Sequence, residues 1–477
     1  MRPMFVDGGF RQGAAAEPLE VVDPATGELV ETVPAGTAAD VDAAVGAAHK
    51  AFPGWWDTPA ARRGELLQQA TAHARGHAGE LAGQLTREQG KPLREAHLEI
   101  DRCLATLEHY AGLARNLRGG YVPNLDEGAY GVVLRRPLGV VGAIVPWNFP
   151  TTLLANKLGP AVVTGNTVVA KPAETTPLTT LRLAELLHEG GLPAGVVNVV
   201  TGTGPVAGAA LVRHPLVRKI AFTGSTAVGK QTMAAAAEDL KRVTLELGGS
   251  DPMIVCDDAD LDRAVSAASV GRFFNCGQAC LATKRLFVFE AVADQVIERL
   301  VGKAARLRVG PGTAEGVHMG PLHTERQRAR IEEQVADAVD RGAEVLCGAA
   351  RPQGEPYQRG WFYQPTLLLE PPADARVAVE ETFGPVLPIW RVADLDDAIA
   401  RANASPYGLG SAIWTRDLHR ASVAAERLEA GYTWVNATNK VYDELPFGGV
   451  KQSGFGKEHG VEALDYYQET KSLVVRH

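Results

Sequence analysis

The sequence predicts an α/β protein: a doubly wound parallel sheet, a second α/β unit after it, and a small β arm. Three observations carry this. Between Gly139 and Gly249, short apolar runs alternate with helical segments, the pattern of βαβ units in a parallel sheet. The alternation restarts at P-M-I-V-C, Pro252 to Cys256, and continues through a helix after Asp260 and R-L-F-V-F. Two extended runs, one around Val132 and one at the C-terminus, belong to neither unit. They can pair with each other or with a neighbouring subunit.

The elements follow in chain order. A hairpin-like opening leads to the turn signal D-P-A-T-G-E, Asp23 to Glu28. From Thr37 to Arg118 the chain is Ala-rich, with apolar residues at three and four spacings, as in Leu66, Leu67, Ala70 and Ala74. That predicts several packed helices, with Trp55 and Trp56 in their core. Gly119 to Pro137 breaks the pattern with turn residues and short extended runs, an excursion of strands. The strands of the first sheet are V-V-G-A-I-V, T-V-V-A-K, V-V-N-V-V-T-G, K-I-A-F-T-G and V-T-L-E-L. Helices are expected near Thr151, Pro177, Pro205 and Thr226. Parallel sheets bind ligands at the carboxyl ends of their strands. Asn148, Lys171, Gly202, Gly224 and Glu246 fall there.

Composition sets the outer limits. At roughly 100–200 residues per domain, 477 residues suggest two to four domains. A hydrophobic content of 45% with 22% charged residues fits an ordinary soluble chain. A net charge of −8 makes nucleic acid an unexpected partner. No apolar run approaches the ~20 residues of a membrane helix, and the N-terminus lacks a signal-peptide core. Five cysteines are too few and too scattered for a disulfide framework, so a reducing compartment, the cytoplasm, is expected.

Chemistry concentrates in two stretches. F-F-N-C-G-Q-A-C-L-A, Phe273 to Ala282, sets Cys280 close to the start of a strand, where a thiolate can face a cleft. A lone cysteine is more often a buried structural one, but this context favours a nucleophile. V-T-L-E-L-G-G, Val243 to Gly249, puts Glu246 inside an apolar strand. An acid there is costly unless paired or used, and the two glycines after it permit close backbone approach. We read Glu246 as a base that activates water; a paired structural carboxylate is the alternative. Cys276 has no C-x-x-C spacing to Cys280, and oxidative pairing of the two stays open. Cys103, Cys256 and Cys347 are expected in the core.

Other motifs are discounted. F-T-G-S-T-A-V-G-K, Phe222 to Lys230, nearly matches a phosphate loop, but Gln231 stands where a magnesium-binding Ser or Thr belongs. An NTPase is therefore rejected, although a glycine turn feeding a helix N-terminus still suits a dinucleotide phosphate. D-D-A-D-L-D, Asp257 to Asp262, lacks the glycine and final glutamate of a calcium loop and reads as helix capping. No zinc pattern occurs, so no metal is expected, and none of the 12 histidines is given a catalytic role.

Seven motifs in order identify the resemblance: P-W-N-F-P (Pro146 to Pro150), K-P-A-E (Lys171 to Glu174), F-T-G-S-T (Phe222 to Thr226), E-L-G-G (Glu246 to Gly249), G-Q-A-C (Gly277 to Cys280), E-E-T-F-G-P-V (Glu380 to Val386) and P-F-G-G-V-K-Q-S-G (Pro446 to Gly454). Along its whole length the chain resembles the aldehyde dehydrogenase superfamily, of the NAD(P)-dependent, hydrolytic type. The resemblance implies a dinucleotide-binding domain at 1–118 and 138–248, a catalytic domain at 249–445, and an oligomerisation arm at 119–137 and 462–477. It implies a homodimer or homotetramer. Cys280 would attack the aldehyde, Asn148 and the Cys280 N–H would hold the oxyanion, and Glu246 would activate water. Lys157 matches a proton-relay position. Lys171 and Glu174 would hold the adenosine ribose, Ser225 the pyrophosphate and Glu381 the nicotinamide ribose. Trp147, Gly204, Phe222, Gly224, Gly248 and Phe383 complete the implied cofactor site.

NAD is the expected cofactor, with NADP possible, because Glu174 repels a 2′-phosphate. Glu246 also argues against a CoA-acylating member. Asn156 stands where some relatives favouring succinic semialdehyde carry an Arg, which weakens a carboxylate-terminated substrate. Phe149 and Phe447 match tunnel positions and suggest an apolar entrance. Asn436 to Leu445 is polar and suits selection of a functional group. The rival readings are a cysteine amide or nitrile hydrolase, a semialdehyde-specific dehydrogenase, and a non-catalytic structural protein. The last would be expected to lose Cys280 or Glu246.

Overall fold

The structure, a computed structural model, describes every residue except 15, 16 and 477. The last residue of the expected terminal strand therefore lies outside the described residues. Five parallel strands form the centre of the first sheet: Val140–Ile144, Thr167–Lys171, Val197–Val199, Val217–Thr223 and Arg242–Glu246. Across the sheet they run third, second, first, fourth, fifth. The first three are buried along their whole length, which is why they read as unbroken apolar runs rather than alternating ones. The helices Pro150–Val163, Leu178–Glu189 and Thr226–Ala237 follow three of the strands. After Val197–Val199 the expected helix is present, opening on a wide π-type turn, Gly204–Gly208, and continuing as the short α-helix Ala209–Arg213.

Strand order reverses between Val140–Ile144 and Val217–Thr223. Loops leaving their carboxyl ends diverge there and open a crevice. The hairpin Met4–Val6 and Gly9–Arg11 closes one edge of the sheet. The short strand Gly454–Phe455 closes the other, pairing antiparallel with Leu245 and Glu246. The stretch 446–461, which the sequence reading left between domains, thus returns to the strand that carries Glu246. Close approach requires glycine here: a Cβ on Gly454 would lie 2.5 Å from the Leu245 carbonyl oxygen.

Of the helices Ala38–Asp57, Ala60–Arg75, Ala78–Gln89 and Leu93–Leu113, the first lies on the sheet and the other three pack outside it, against Pro150–Val163 and Leu178–Glu189. A capping box of Thr37 and Asp40 starts the first. Leu67, Ala70 and Ala74 are fully buried, as their spacing predicts. Trp55 is buried and donates its indole N–H to the Val162 carbonyl (3.1 Å), while Trp56 is only half-buried.

The second sheet has six parallel strands, Asp251–Val255, Thr283–Phe289, Thr366–Leu369, Val386–Val392, Gly410–Trp414 and Tyr432–Val435, with Glu344–Cys347 antiparallel at one edge. Asp260 caps the helix Leu261–Phe273, as its motif suggested. The two unplaced extended runs pair with each other: Gln468–Arg476 lies antiparallel to Ala129–Pro137, with Gly120–Asp126 outside it. All five cysteines are free. Cys103, Cys256 and Cys276 are buried, but Cys347 sits half-buried on the edge strand rather than in the core.

Candidate active site

The two sheets meet where E-L-G-G leaves the first and enters the second. A Cβ on Gly249 would sit 3.1 Å from the Cys280 carbonyl oxygen, so the Glu246 strand exit passes directly beside the cysteine loop. That loop is a tight turn, Phe274–Gly277, in which Asn275 and Cys276 both take positive φ (49° and 56°). Arg272, fully buried, ties it down. Its guanidinium donates to the carbonyls of Gly277 (2.9 Å), Thr382 (3.1 Å) and Gly384. Glu95 accepts from the Asn275 N–H (2.8 Å).

Cys280 is half-buried at the end of this turn. Burial pushes its thiol up to about 12, the Lys284 ammonium opposes that, and Asp251, Glu246 and Glu381 add to it. Asn148 stands beside it, its amide donating to the Gln278 carbonyl (3.1 Å). The Asn148 backbone carbonyl accepts from Asn275 (3.1 Å) and from Lys91 (2.8 Å). Lys91 in turn pairs with buried Glu99. The sequence reading did not single out Lys91, Glu99, Glu95 or Arg272.

Glu246 is buried, and its Oε2 has no hydrogen-bond partner among the described residues. Such an orphan acceptor suits a water molecule. Burial holds the carboxyl well above the ordinary range; Glu458 adds to this, and Lys157 and Lys457 oppose it. Gly448 makes room: a Cβ there would lie 2.8 Å from Glu246 Oε1. Lys157 donates to Glu458 (2.5 Å) and to Thr223 Oγ1 (2.6 Å). Asn156 donates to the other oxygen of Glu458 (3.0 Å).

The cofactor residues implied by the motifs line the crevice side. Lys171 Nζ donates to the carbonyls of Pro172 (2.7 Å) and Gly202 (2.9 Å) and lies 3.8 Å from Glu174. Burial lowers its ammonium to about 8. Ser225, exposed, is the N-cap of Thr226–Ala237. That helix start, with Gly224 before it and Gly204 exposed on a neighbouring turn, suits an anionic phosphate. Phe222 lies buried, its ring against Gly224. Glu381 accepts from the Gly249 N–H (3.1 Å) and from Lys284 (3.0 Å). Gly248 must lack a side chain, because a Cβ would meet Glu381 Oε2 at 2.5 Å. Trp147 stacks on His323 (4.5 Å) and meets Phe383 edge-on (5.5 Å). These residues fit a dinucleotide.

On the opposite side Phe149 stacks parallel to Phe274 (6.0 Å). Phe447 packs against Tyr432 and His459. The polar segment 436–445 reaches this wall: Asn439 donates to the Leu281 carbonyl, and Asp443 accepts from Arg102 (2.8 Å) and bonds His459 Nδ1 (2.9 Å). No group of acids, histidines and cysteines suited to a metal occurs among the described residues.

The family model for the aldehyde dehydrogenase family matches residues 10–473. The chain belongs to the aldehyde dehydrogenase family. It is 41% identical over 472 residues to succinate-semialdehyde dehydrogenase (NADP(+)) GabD of Escherichia coli, covering 99% of this chain and 97% of that one. It is 42% identical over 483 residues to phenylacetaldehyde dehydrogenase of Pseudomonas fluorescens, covering 99% and 95%. Among solved structures, PnpE of Pseudomonas sp. WBC-3 superposes with a TM-score of 0.98 at 42% identity, over 100% of this chain and 98% of that one. This aldehyde dehydrogenase is thus an NAD(P)-dependent oxidoreductase that converts an aldehyde to an acid. No helix among its described residues is long and apolar enough to cross a membrane.

The sequence reading missed Glu458 and Lys284. Glu458 lay in K-E-H-G with no local signal. Lys284 had one: with Arg285 it is a cation inside a strand that is buried throughout, the same anomaly that marked Glu246.

Proposed function

We propose that this aldehyde dehydrogenase works through a covalent Cys280 adduct hydrolysed by water that Glu246 activates. The observation that carries the reading is the passage of the Glu246 strand exit beside the Cys280 loop, with Asn148 on the third side. A thiolate adds to the aldehyde carbon and later leaves as a good thioester leaving group. The Asn148 amide and the Cys280 N–H stabilise the oxyanion; such a donor is typically worth ~10²–10³ in rate. A dinucleotide held by these residues would supply the hydride acceptor. Glu246 then takes a proton from water as it attacks the thioester, an effect of roughly 10²–10⁴. Lys157 and Glu458 tune that carboxylate, and of the two only the Glu458 carboxylate can accept its proton. Lys171, Glu174, Ser225 and Glu381 hold the dinucleotide, with Trp147, Gly204, Phe222, Gly224, Gly248 and Phe383 shaping its bed.

The division into a dinucleotide-binding domain (1–118, 138–248), a catalytic domain (249–445) and an arm (119–137, 462–477) belongs to the same reading. So do a homodimer or homotetramer joined through the arm, and a cytoplasmic location. The exposed apolar residues Tyr121, Val122, Leu473 and Val474 on the arm support its role in assembly.

The substrate proposed is an apolar or aromatic aldehyde. Phe149, Phe274 and Phe447 form the wall, and three of the nearby cations are matched with acids: Arg102 with Asp443, Lys91 with Glu99, Lys157 with Glu458. Asn156, spent on Glu458, offers a substrate carboxylate no charge. The named relatives include both a semialdehyde enzyme and an arylacetaldehyde enzyme, so the panel must hold both classes. Absorbance of the reduced nicotinamide, read with aliphatic, aromatic, amino-substituted and semialdehyde substrates, tests this. Higher kcat/KM for succinic semialdehyde than for every aromatic member would reverse the substrate assignment.

A further inference from the structure

We propose that Lys284 is a positioning residue of this enzyme: its buried ammonium ties the Cys280 loop to Glu381 and supplies the positive charge that favours the Cys280 thiolate. The proposal rests on the reading of Cys280 as nucleophile. The Lys284 side chain is 1% exposed. Its ammonium donates to the Cys280 carbonyl (2.5 Å) and to Glu381 Oε1 (3.0 Å), and lies 5.7 Å from the Phe383 ring centroid. Glu381 lies 97 residues along the chain from Lys284, so the ammonium joins the Cys280 loop to a distant segment. An ammonium buried so deeply needs partners of this kind.

Packing alone does not call for a charge here. The neighbouring positions of the strand, Leu286, Phe287 and Val288, are buried and apolar. A methionine would fill the same space without the cost of burying a cation. The charge has an evident use. The ionisable groups around the thiol are Lys284 on Thr283–Phe289, Asp251 on Asp251–Val255, Glu246 on Arg242–Glu246, and Glu381 on the loop before Val386–Val392. Three are acids, and each disfavours a thiolate. Lys284 is the cation of the set and the leading influence in the opposite sense. It also fixes Glu381, whose carboxylate otherwise holds only the Gly249 N–H (3.1 Å) among the described residues. One ammonium therefore serves both the nucleophile and the carboxylate assigned to the nicotinamide ribose.

The test is the rate of Cys280 alkylation by iodoacetamide against pH, on the full-length protein without cofactor, with peptide mapping to confirm the alkylated residue. Lys284→Met should move the pH–rate curve up by about one unit, slowing alkylation about tenfold at a fixed pH near neutrality. Lys284→Arg, which keeps the charge, should restore part of that loss. Glu381→Gln removes an opposing acid and leaves the ammonium in place, so it should move the curve the other way. Loss of packing would move both in one direction; opposite signs mark an electrostatic role. An unshifted curve for a folded Lys284→Met protein overturns the proposal. Should that variant fail to fold, Glu381→Gln decides: a curve that stays or moves up overturns it. The nucleophile reading is checked separately in the same samples. Wild-type protein alkylated at Cys280 must lose aldehyde oxidation; if turnover survives, that reading falls, and the catalytic meaning of Lys284 with it.

Discussion

The Lys157 ammonium meets the Glu458 carboxylate at 2.5 Å, fully buried and across 301 residues of sequence. Both groups act on Glu246, in opposite senses. Burial already holds Glu246 above the ordinary carboxylate range; Glu458 pushes it further and Lys157 pulls it back. A base works only when deprotonated, so steady turnover should fall as pH drops through this raised value. Glu458→Gln should move that acid limb to lower pH, and Lys157→Met should move it to higher pH. Profiles of kcat against pH check this, and a shift of both variants in the same direction would refute the coupling. Lys157→Met also strands a buried carboxylate, at a cost of about 3–5 kcal/mol, which should appear as a lower denaturant midpoint.

Glu246→Gln keeps the shape of the site and removes the base. Rapid-mixing traces should show one enzyme equivalent of reduced nicotinamide formed quickly, then steady turnover slowed by roughly 10²–10⁴. Slow formation of the first equivalent would place Glu246 before the thioester, in activation of the thiol.

Cys280→Ala should abolish aldehyde oxidation and leave dinucleotide binding intact, because the cofactor side is built from other chain segments. Nucleotide binding by calorimetry separates the two. Cys276, at positive φ and 1% exposed within the turn, is closed off from a substrate, whereas Cys280 is half-buried, so Cys276 cannot substitute for it.

What could be read from sequence was local. The five strands of the first sheet were legible because a parallel strand is buried on both faces and reads as a continuous apolar run. Glu246 stood out by breaking such a run. Lys284 breaks one in the same way, and the same argument finds it. Glu458 and Gly448 are different. They reach Glu246 only because Gly454–Phe455 pairs with the edge of the first sheet, a contact between segments about 200 residues apart that no local pattern encodes. The same holds for Lys91, whose role appears only when Asn148 is placed above it. The helix expected at Pro205 opens on a wide turn, with the Gly208 N–H reaching the Thr203 carbonyl five residues back (3.2 Å), and then continues as Ala209–Arg213.

Cofactor preference follows from how Lys171 is used. Its ammonium is held by two backbone carbonyls and sits 3.8 Å from Glu174, so little of its charge is available to a 2′-phosphate. Glu174 itself is 45% exposed. A 2′-hydroxyl can donate to that carboxylate, whereas a 2′-phosphate meets like charge. Solvent screening at a half-exposed group reduces the penalty to about 1 kcal/mol, roughly a fivefold preference in kcat/KM. The enzyme should therefore favour NAD over NADP by about this factor, although its E. coli relative is named for NADP(+). Glu174→Gln should narrow the ratio mainly by lowering KM for NADP, with kcat for NAD little changed. Parallel initial-rate measurements with both cofactors decide it: a wild-type preference for NADP, or a ratio that Glu174→Gln leaves untouched, would remove Glu174 from cofactor selection.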